Sequence, residues 1–191
     1  MRAIIISILM CAGMSLIGCS HLVKNESDPN GGNGGSEAVN TEKPTGKLTY
    51  CSYASIGHAA LGTDYCELIA DPGKKPKIVV VLNEDCHFAD KVKKEFEVSQ
   101  DVVEKAEKGL EELKAWEING YNKTELMDGG RSRRVHIEYG AEEKVHAHWF
   151  THQAKREAIA VYNYLESFFS PWREKVEQMN EDVDVVEEVE E

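Results

Sequence analysis

The sequence predicts an α+β domain: an antiparallel sheet of about five strands in the element order β-β-β-α-β-β-α, with the helices packed on one face. Three observations predict it. Val135, Ile137, Tyr139 and then Val145, Ala147, Trp149 alternate with polar residues at a period of two, the pattern of half-buried strands. Ile78 to Leu82 is a continuous, largely β-branched apolar run, which suits a strand buried on both faces. Two later stretches, 99–116 and 153–169, carry their apolar residues at helical spacing.

Taken in order, Leu48 to Ile56 mixes Tyr50, Cys51 and Tyr53 with small residues and ends between Gly57 and Gly62, which reads as a strand and turn. Thr63 to Ala70 supplies a second strand, closed by the turn signal Asp71, Pro72, Gly73. The apolar run at 78–82 is the third. Asn83 to Val98 scatters charges around Phe88, Val92 and Phe96 and is ambiguous, reading as loop with room for short structure. Ser99 is placed to cap a helix whose stripe is Val102 or Val103, Ala106, Leu110, Leu113 and Trp116, stopped by Asn119 and Gly120. Asp128, Gly129, Gly130 then turn the chain into the two alternating strands. The final helix places Ala154, Ala158, Val161, Tyr162, Leu165 and Phe169 on one stripe before Ser170 and Pro171.

The two alternating strands can be registered by their faces, because residues opposite one another point to the same side of a sheet. Pairing Tyr139 with Val145, Ile137 with Ala147 and Val135 with Trp149 makes one face wholly apolar. The same register sets His136 opposite His148 and Glu138 opposite His146 on the other face, with Arg134 nearby and His152 just beyond. Imidazole nitrogen and carboxylate oxygen are ligands for a borderline cation such as zinc, and alternate residues on a strand share a face. His136, Glu138, His146 and His148 are therefore the candidate metal ligands. A solvated polar face is the simpler reading of the same residues.

The chain opens with Arg2 and an apolar run from Ala3 that continues with few interruptions to Ile17, the anatomy of a secretory signal. The run is shorter than the roughly 20 residues a membrane-crossing helix needs. It ends in Leu16, Ile17, Gly18, Cys19, which resembles the lipobox of bacterial lipoprotein signal peptides. The resemblance implies cleavage before Cys19, acylation of that cysteine and a lipid bilayer as first partner, since several acyl chains at ~0.8 kcal/mol per buried CH₂ hold a protein firmly. Ser20 stands where an aspartate often retains such proteins at the inner membrane, so the resemblance implies a lipid anchor in the cell envelope, at the outer membrane. The element order of the domain is also similar to small exported α+β domains of the cystatin-like or inhibitor type, with no motif behind it.

Charge divides unevenly along the 191 residues. Between Lys47 and Arg173 there are 21 acids and 18 bases, whereas Glu177 to Glu191 holds eight acids and no base, so the net charge of −12 sits mostly in the tail. The expected organisation is a signal peptide at 1–18, a lipidated Gly/Ser/Asn-rich tether at 19–46, one domain at 47–173 and an acidic, disordered tail at 174–191. A tail of that sign argues against a nucleic-acid partner.

Of the five cysteines, Cys11 leaves with the signal and Cys19 goes to lipid, leaving Cys51, Cys66 and Cys86. Cys51 with Cys66 closes the shortest loop and is the candidate disulfide, although a symmetric turn at 57–62 would set Cys51 opposite Leu68. Cys86 beside His87 is a pair of low specificity. Arg131, Arg133 and Arg134 form a basic patch suited to a carboxylate or phosphate. No Gly-X-Ser-X-Gly elbow, phosphate-binding glycine loop or paired CxxC motif is present. The sequence expectation is a cell-envelope lipoprotein with a non-catalytic domain that binds an envelope protein or a small ligand. The alternatives are a metal-binding protein, and a hydrolase or hydrolase inhibitor working through Glu138 or Asp128 with a histidine.

Overall fold

The computed structural model describes residues 40–57, 61–87, 89–125 and 130–187, the side chains of 181–187 apart. The chain divides into two units, Met1–Ser36 and Glu37–Glu191, and the second is the one described. The expected signal, Cys19, the tether up to residue 39 and Asp128 lie outside the described residues.

The elements are β1 (Leu48–Ile56), β2 (Thr63–Ile69), β3 (Lys77–Glu84), β4 (Val92–Glu97), α1 (Gln100–Glu112), a 3₁₀ turn (Ala115–Ile118), β5 (Tyr121–Thr124), β6 (Ser132–Tyr139), β7 (Glu143–Phe150) and α2 (Arg156–Glu187). The class is α+β, as the patterning implied. The sheet has seven strands in the order β4-β3-β2-β1-β6-β7-β5, two more than expected. It is also mixed, because β5 runs parallel to β7 while every other pair is antiparallel.

Both extra strands sit at edges, where pairing on one side needs little apolar content. β4 anchors itself with only Val92 and Phe96, opposite Leu82 and Ile78, while Lys93, Glu95 and Glu97 take the other face. Its charges hid a strand in the stretch read as loop. β5 is four residues long and is held by Gly120 N–H donating to His146 O at 2.9 Å and Glu125 N–H donating to Phe150 O at 2.9 Å.

The helices and the 3₁₀ turn cover one face. Alternate strand residues, including Leu48, Cys51, Tyr53, Leu68, Ile78, Val80, Val135, Ile137 and Trp149, join Val103, Ala106, Leu110, Val161, Leu165 and Phe169 in one core. Tyr53 packs on Phe169 and Tyr162 at ring-centroid distances of 5.8 and 5.4 Å, and Trp149 packs on Tyr162 at 5.7 Å. Val79 and Val81, on the other face of β3, are buried as well, so this strand is shielded from solvent on both sides, as its apolar run required.

α1 is shorter than its stripe suggested. It ends at Glu112; Lys114 then takes a left-handed φ of 49°, and Trp116 belongs to the 3₁₀ turn. Ser99 holds the capping position, but its side chain makes no capping hydrogen bond. Gly109 faces α2 so closely that a Cβ there would stand 2.1 Å from the Tyr164 ring, whose hydroxyl donates to Lys105 O at 2.9 Å.

α2 runs through Pro171, where the sequence placed its end. A proline lacks the N–H that would reach the carbonyl four residues back, that of Ser167. The Ser170 hydroxyl donates to Ser167 O instead, at 3.0 Å, so the freed acceptor is satisfied and the helix continues. Val176, one turn into the acidic segment, is fully buried. The stretch expected to be disordered from 174 therefore begins as part of α2.

Among the described residues no helix is long and apolar enough to cross a membrane.

Candidate functional site

Two polar clusters organise this domain, one on each face of the sheet. The first lies on the face away from the helices. β6 and β7 pair two residues out of the expected register, with Tyr139 opposite Glu143, Ile137 opposite Val145 and Val135 opposite Ala147. A tight turn at Gly140, whose φ is +62°, shortens the connection by two residues. Because the side-chain period is two, the shift keeps every residue on its expected face and changes only its partner.

His136 consequently faces His146, not His148. The two imidazoles stack with centroids 4.1 Å apart and planes 28° from parallel. Glu138, expected opposite His146, faces Lys144, with Oε1 at 2.8 Å from Lys144 Nζ and 3.0 Å from His136 Nε2. His148 faces Arg134, and His152 lies beyond the strand, exposed. The register thus parts His148 from His136, and among the described residues no three His, Cys, Asp or Glu side chains group as a metal ion would need.

β1 adds what the sequence could not show. It pairs with β6 across more than 70 residues of chain, bringing Ser52 opposite His136 and Tyr50 opposite Glu138 at an irregularity in the ladder. The Tyr50 ring sits 5.0 Å from His136, and its hydroxyl donates to Glu67 Oε2 at 2.7 Å. The result is a row of Tyr50, His136 and His146 crossing three strands on a sheet face that no described element covers.

Electrostatics favour the uncharged imidazoles. His136 is held below the ordinary histidine range by burial first and by neighbouring His146 second, partly offset by Glu138. His146 is lowered by burial and by Lys144, and His148 by burial and by Arg134. Glu138 is held below the usual carboxylate range, chiefly by the Lys144 hydrogen bond. His136 Nε2 is shielded from solvent, and although Glu138 lies within reach, no well-aligned hydrogen bond satisfies it.

The second cluster lies on the helix side. Asp64 on β2 accepts from Arg131 at 2.7 Å through Oδ2 and from the Asn83 N–H at 3.0 Å through Oδ1, with Arg173 of α2 at 3.8 Å. Arg131 also reaches Ser55 and the Leu61 carbonyl. Arg173 pairs with Glu177 at 2.9 Å. The basic patch read from Arg131, Arg133 and Arg134 is split by strand alternation: Arg131 joins this hub, Arg133 lies over the Tyr162 ring at 5.4 Å and Arg134 points to the open face.

The candidate disulfide is not made: Cys51 and Cys66 are both buried free thiols. Cys51 faces Leu68 and Cys66 faces Tyr53, so the two cysteines are diagonal neighbours. Such positions stand ~7 to 8 Å apart, beyond the ~4.4 to 6.8 Å between Cα atoms that a disulfide spans. The Cys66 thiol donates instead to the Tyr53 hydroxyl at 3.8 Å, and burial pushes it up to about 11.

Two shallow cavities lie elsewhere. One of about 250 Å³ sits between the Ala70–Pro76 turn and α1, and one of about 300 Å³ lies beside Trp116 and His146. Neither is lined by His136 or Glu138.

Neither a protein-family model nor a curated protein matches this chain. A functional reading accordingly rests on geometry and on the sequence signals. Trp149 is wholly buried and Trp116 and Trp172 pack against the core, which leaves none of the three on the open face.

Proposed function

We propose that this chain is an exported lipoprotein, anchored in the cell envelope through lipid on Cys19, whose domain binds a protein partner through the open sheet face around Tyr50, His136 and His146. The observation that supports the binding face most is the stacked His136–His146 pair beside Tyr50, on a surface that no described element covers. A row of aromatic and imidazole rings gives contact area at low side-chain entropy, the composition that protein interfaces favour. The two cavities stand at or below the low end of the ~300 to 1,000 Å³ usual for small-molecule sites, which favours a protein over a small ligand.

The envelope address is supported by the run of Leu16, Ile17, Gly18 and Cys19. Metabolic labelling with an acyl analogue tests it: label enters the wild type and not Cys19→Ala, and a labelled Cys19→Ala protein contradicts it. The binding face is tested by placing a photo-cross-linking residue at His148 or, as a helix-face control, at Glu166. One discrete adduct from position 148 and none from 166 supports the reading. Equal adducts from both, or none from either, overturn it.

A further inference from the structure

The segment ahead of β1 is tied down by contacts that have no signature in the residue pattern. Glu143, the first residue of β7, accepts hydrogen bonds from the Thr45 N–H at 3.0 Å to each oxygen, from the Gly46 N–H at 2.7 Å and from the Thr45 hydroxyl at 3.3 and 3.4 Å. Those backbone donors hold its carboxyl below the usual carboxylate range. Asn119 joins from the far side: its amide donates to Asn40 O at 2.8 Å while its oxygen accepts the His146 N–H at 2.9 Å. Lys43 pairs with Glu111 on α1.

Steric fit agrees with the hydrogen bonds. A Cβ at Gly46 would stand 2.9 Å from the Tyr139 carbonyl carbon and 3.1 Å from Glu143 Oε2, so only glycine lets the backbone approach this closely. The segment helps to line the cavity of about 300 Å³, to which it contributes Asn40, Glu42 and Pro44 beside Trp116, Asn119 and His146.

We propose that residues 40–46 are a strap, latched by Glu143, that fixes where the chain enters the domain and forms one wall of the cavity beside Trp116 and His146. Its contacts are side-chain bonds at the surface and belong to no ladder of the sheet, so the strap opens while β1 stays paired. Release uncovers Trp116 and the end of β7 next to the stacked histidines and hands the residues of the strap to the segment before them. The purpose of such a device rests on the tether reading of residues 19–46; its existence rests on these contacts alone.

Hydrogen exchange of the full chain, read on the 40–47 peptide by mass spectrometry, tests it, together with the rate of cleavage after Glu42 by a glutamate-specific protease. In the wild type the Thr45 and Gly46 amides are protected. Glu143→Ala and Gly46→Ala, which release the latch from opposite sides, each lower that protection by about tenfold or more. They also speed cleavage and raise acrylamide quenching of tryptophan, while exchange in β1 and β6 stays at the wild-type rate. Glu142→Gln, a neighbouring carboxylate outside the latch, leaves all three at wild-type values. Unprotected amides in the wild type, or protection retained in both latch variants, overturn the strap. Neither result touches the acylation of Cys19, so failure of the strap and failure of the lipoprotein reading are told apart.

Discussion

The hub around Asp64 and the row around His136 are both clusters of polar groups on one sheet, and they differ in how completely they are satisfied. In the hub, the carboxylate of Asp64 has its two oxygens occupied, and Arg131 and Arg173 find partners on β1, β2 and α2. On the open face His136 keeps a shielded nitrogen without an aligned partner, and the imidazoles are held uncharged by burial and by their cationic neighbours. Complete pairing is what a cluster needs to hold a fold, because any group left alone in a buried place costs its desolvation. Incomplete pairing is tolerated where it serves something other than stability. The difference gives the hub the pairing that architecture needs and supports the binding role proposed for the row.

The largest expected effect breaks the hub. Asp64→Ala strands Arg131, Arg173 and the Asn83 N–H together, and, since the arginines keep some solvent contact, the cost is about 2 to 3 kcal/mol in urea unfolding. An unchanged midpoint would remove the hub from the architecture. Next comes Gly109→Ala, which expels the Tyr164 ring and its bond to Lys105 and costs about 1 to 2 kcal/mol. It shows how much the helix layer resists change apart from the hub.

On the open face the same measurement gives less. His136→Gln with His146→Gln changes stability at pH 7.5 by under about 1 kcal/mol. The pair speaks instead through pH. Both histidines titrate lower in the folded state than the ~6.5 of an unfolded chain, so their contribution is complete above that value and is lost as pH falls toward the folded values. Unfolding measured from pH 7.5 down to 5 therefore weakens more steeply for the wild type than for the double variant. Equal slopes would contradict the lowered titration of the pair. The smallest expected effect is Ser170→Ala: the Ser167 carbonyl loses its substitute donor at Pro171, for about 0.5 kcal/mol and faster amide exchange around the proline.

Much of this arrangement was legible from residue periodicity. Alternation at 134–150 fixes which face each residue takes, and the stripes at 99–116 and 153–169 locate both helices. Periodicity does not distinguish registers two residues apart, so the partners of His136 and Glu138 waited on the tight turn at Gly140. The pairing of β1 with β6 is non-local, which is why Tyr50 was not seen beside His136, nor Asp64 beside Arg131 and Arg173. β4 and β5 escaped because edge strands need few apolar residues. Pro171 read as a stop, since the donor that replaces its missing N–H is a neighbouring hydroxyl with no periodic signature.

One crossed measurement tests the division most directly: melting temperature and cross-linking yield from position 148, on Asp64→Ala and on His136→Gln with His146→Gln. The hub variant is expected to melt several degrees lower, at ~2 to 4 °C per kcal/mol for a domain of this size, yet to cross-link normally below its transition. The histidine variant is expected to melt near the wild type and to lose the cross-link. A stable hub variant that fails to cross-link, or a histidine variant that cross-links fully, would contradict the assignment.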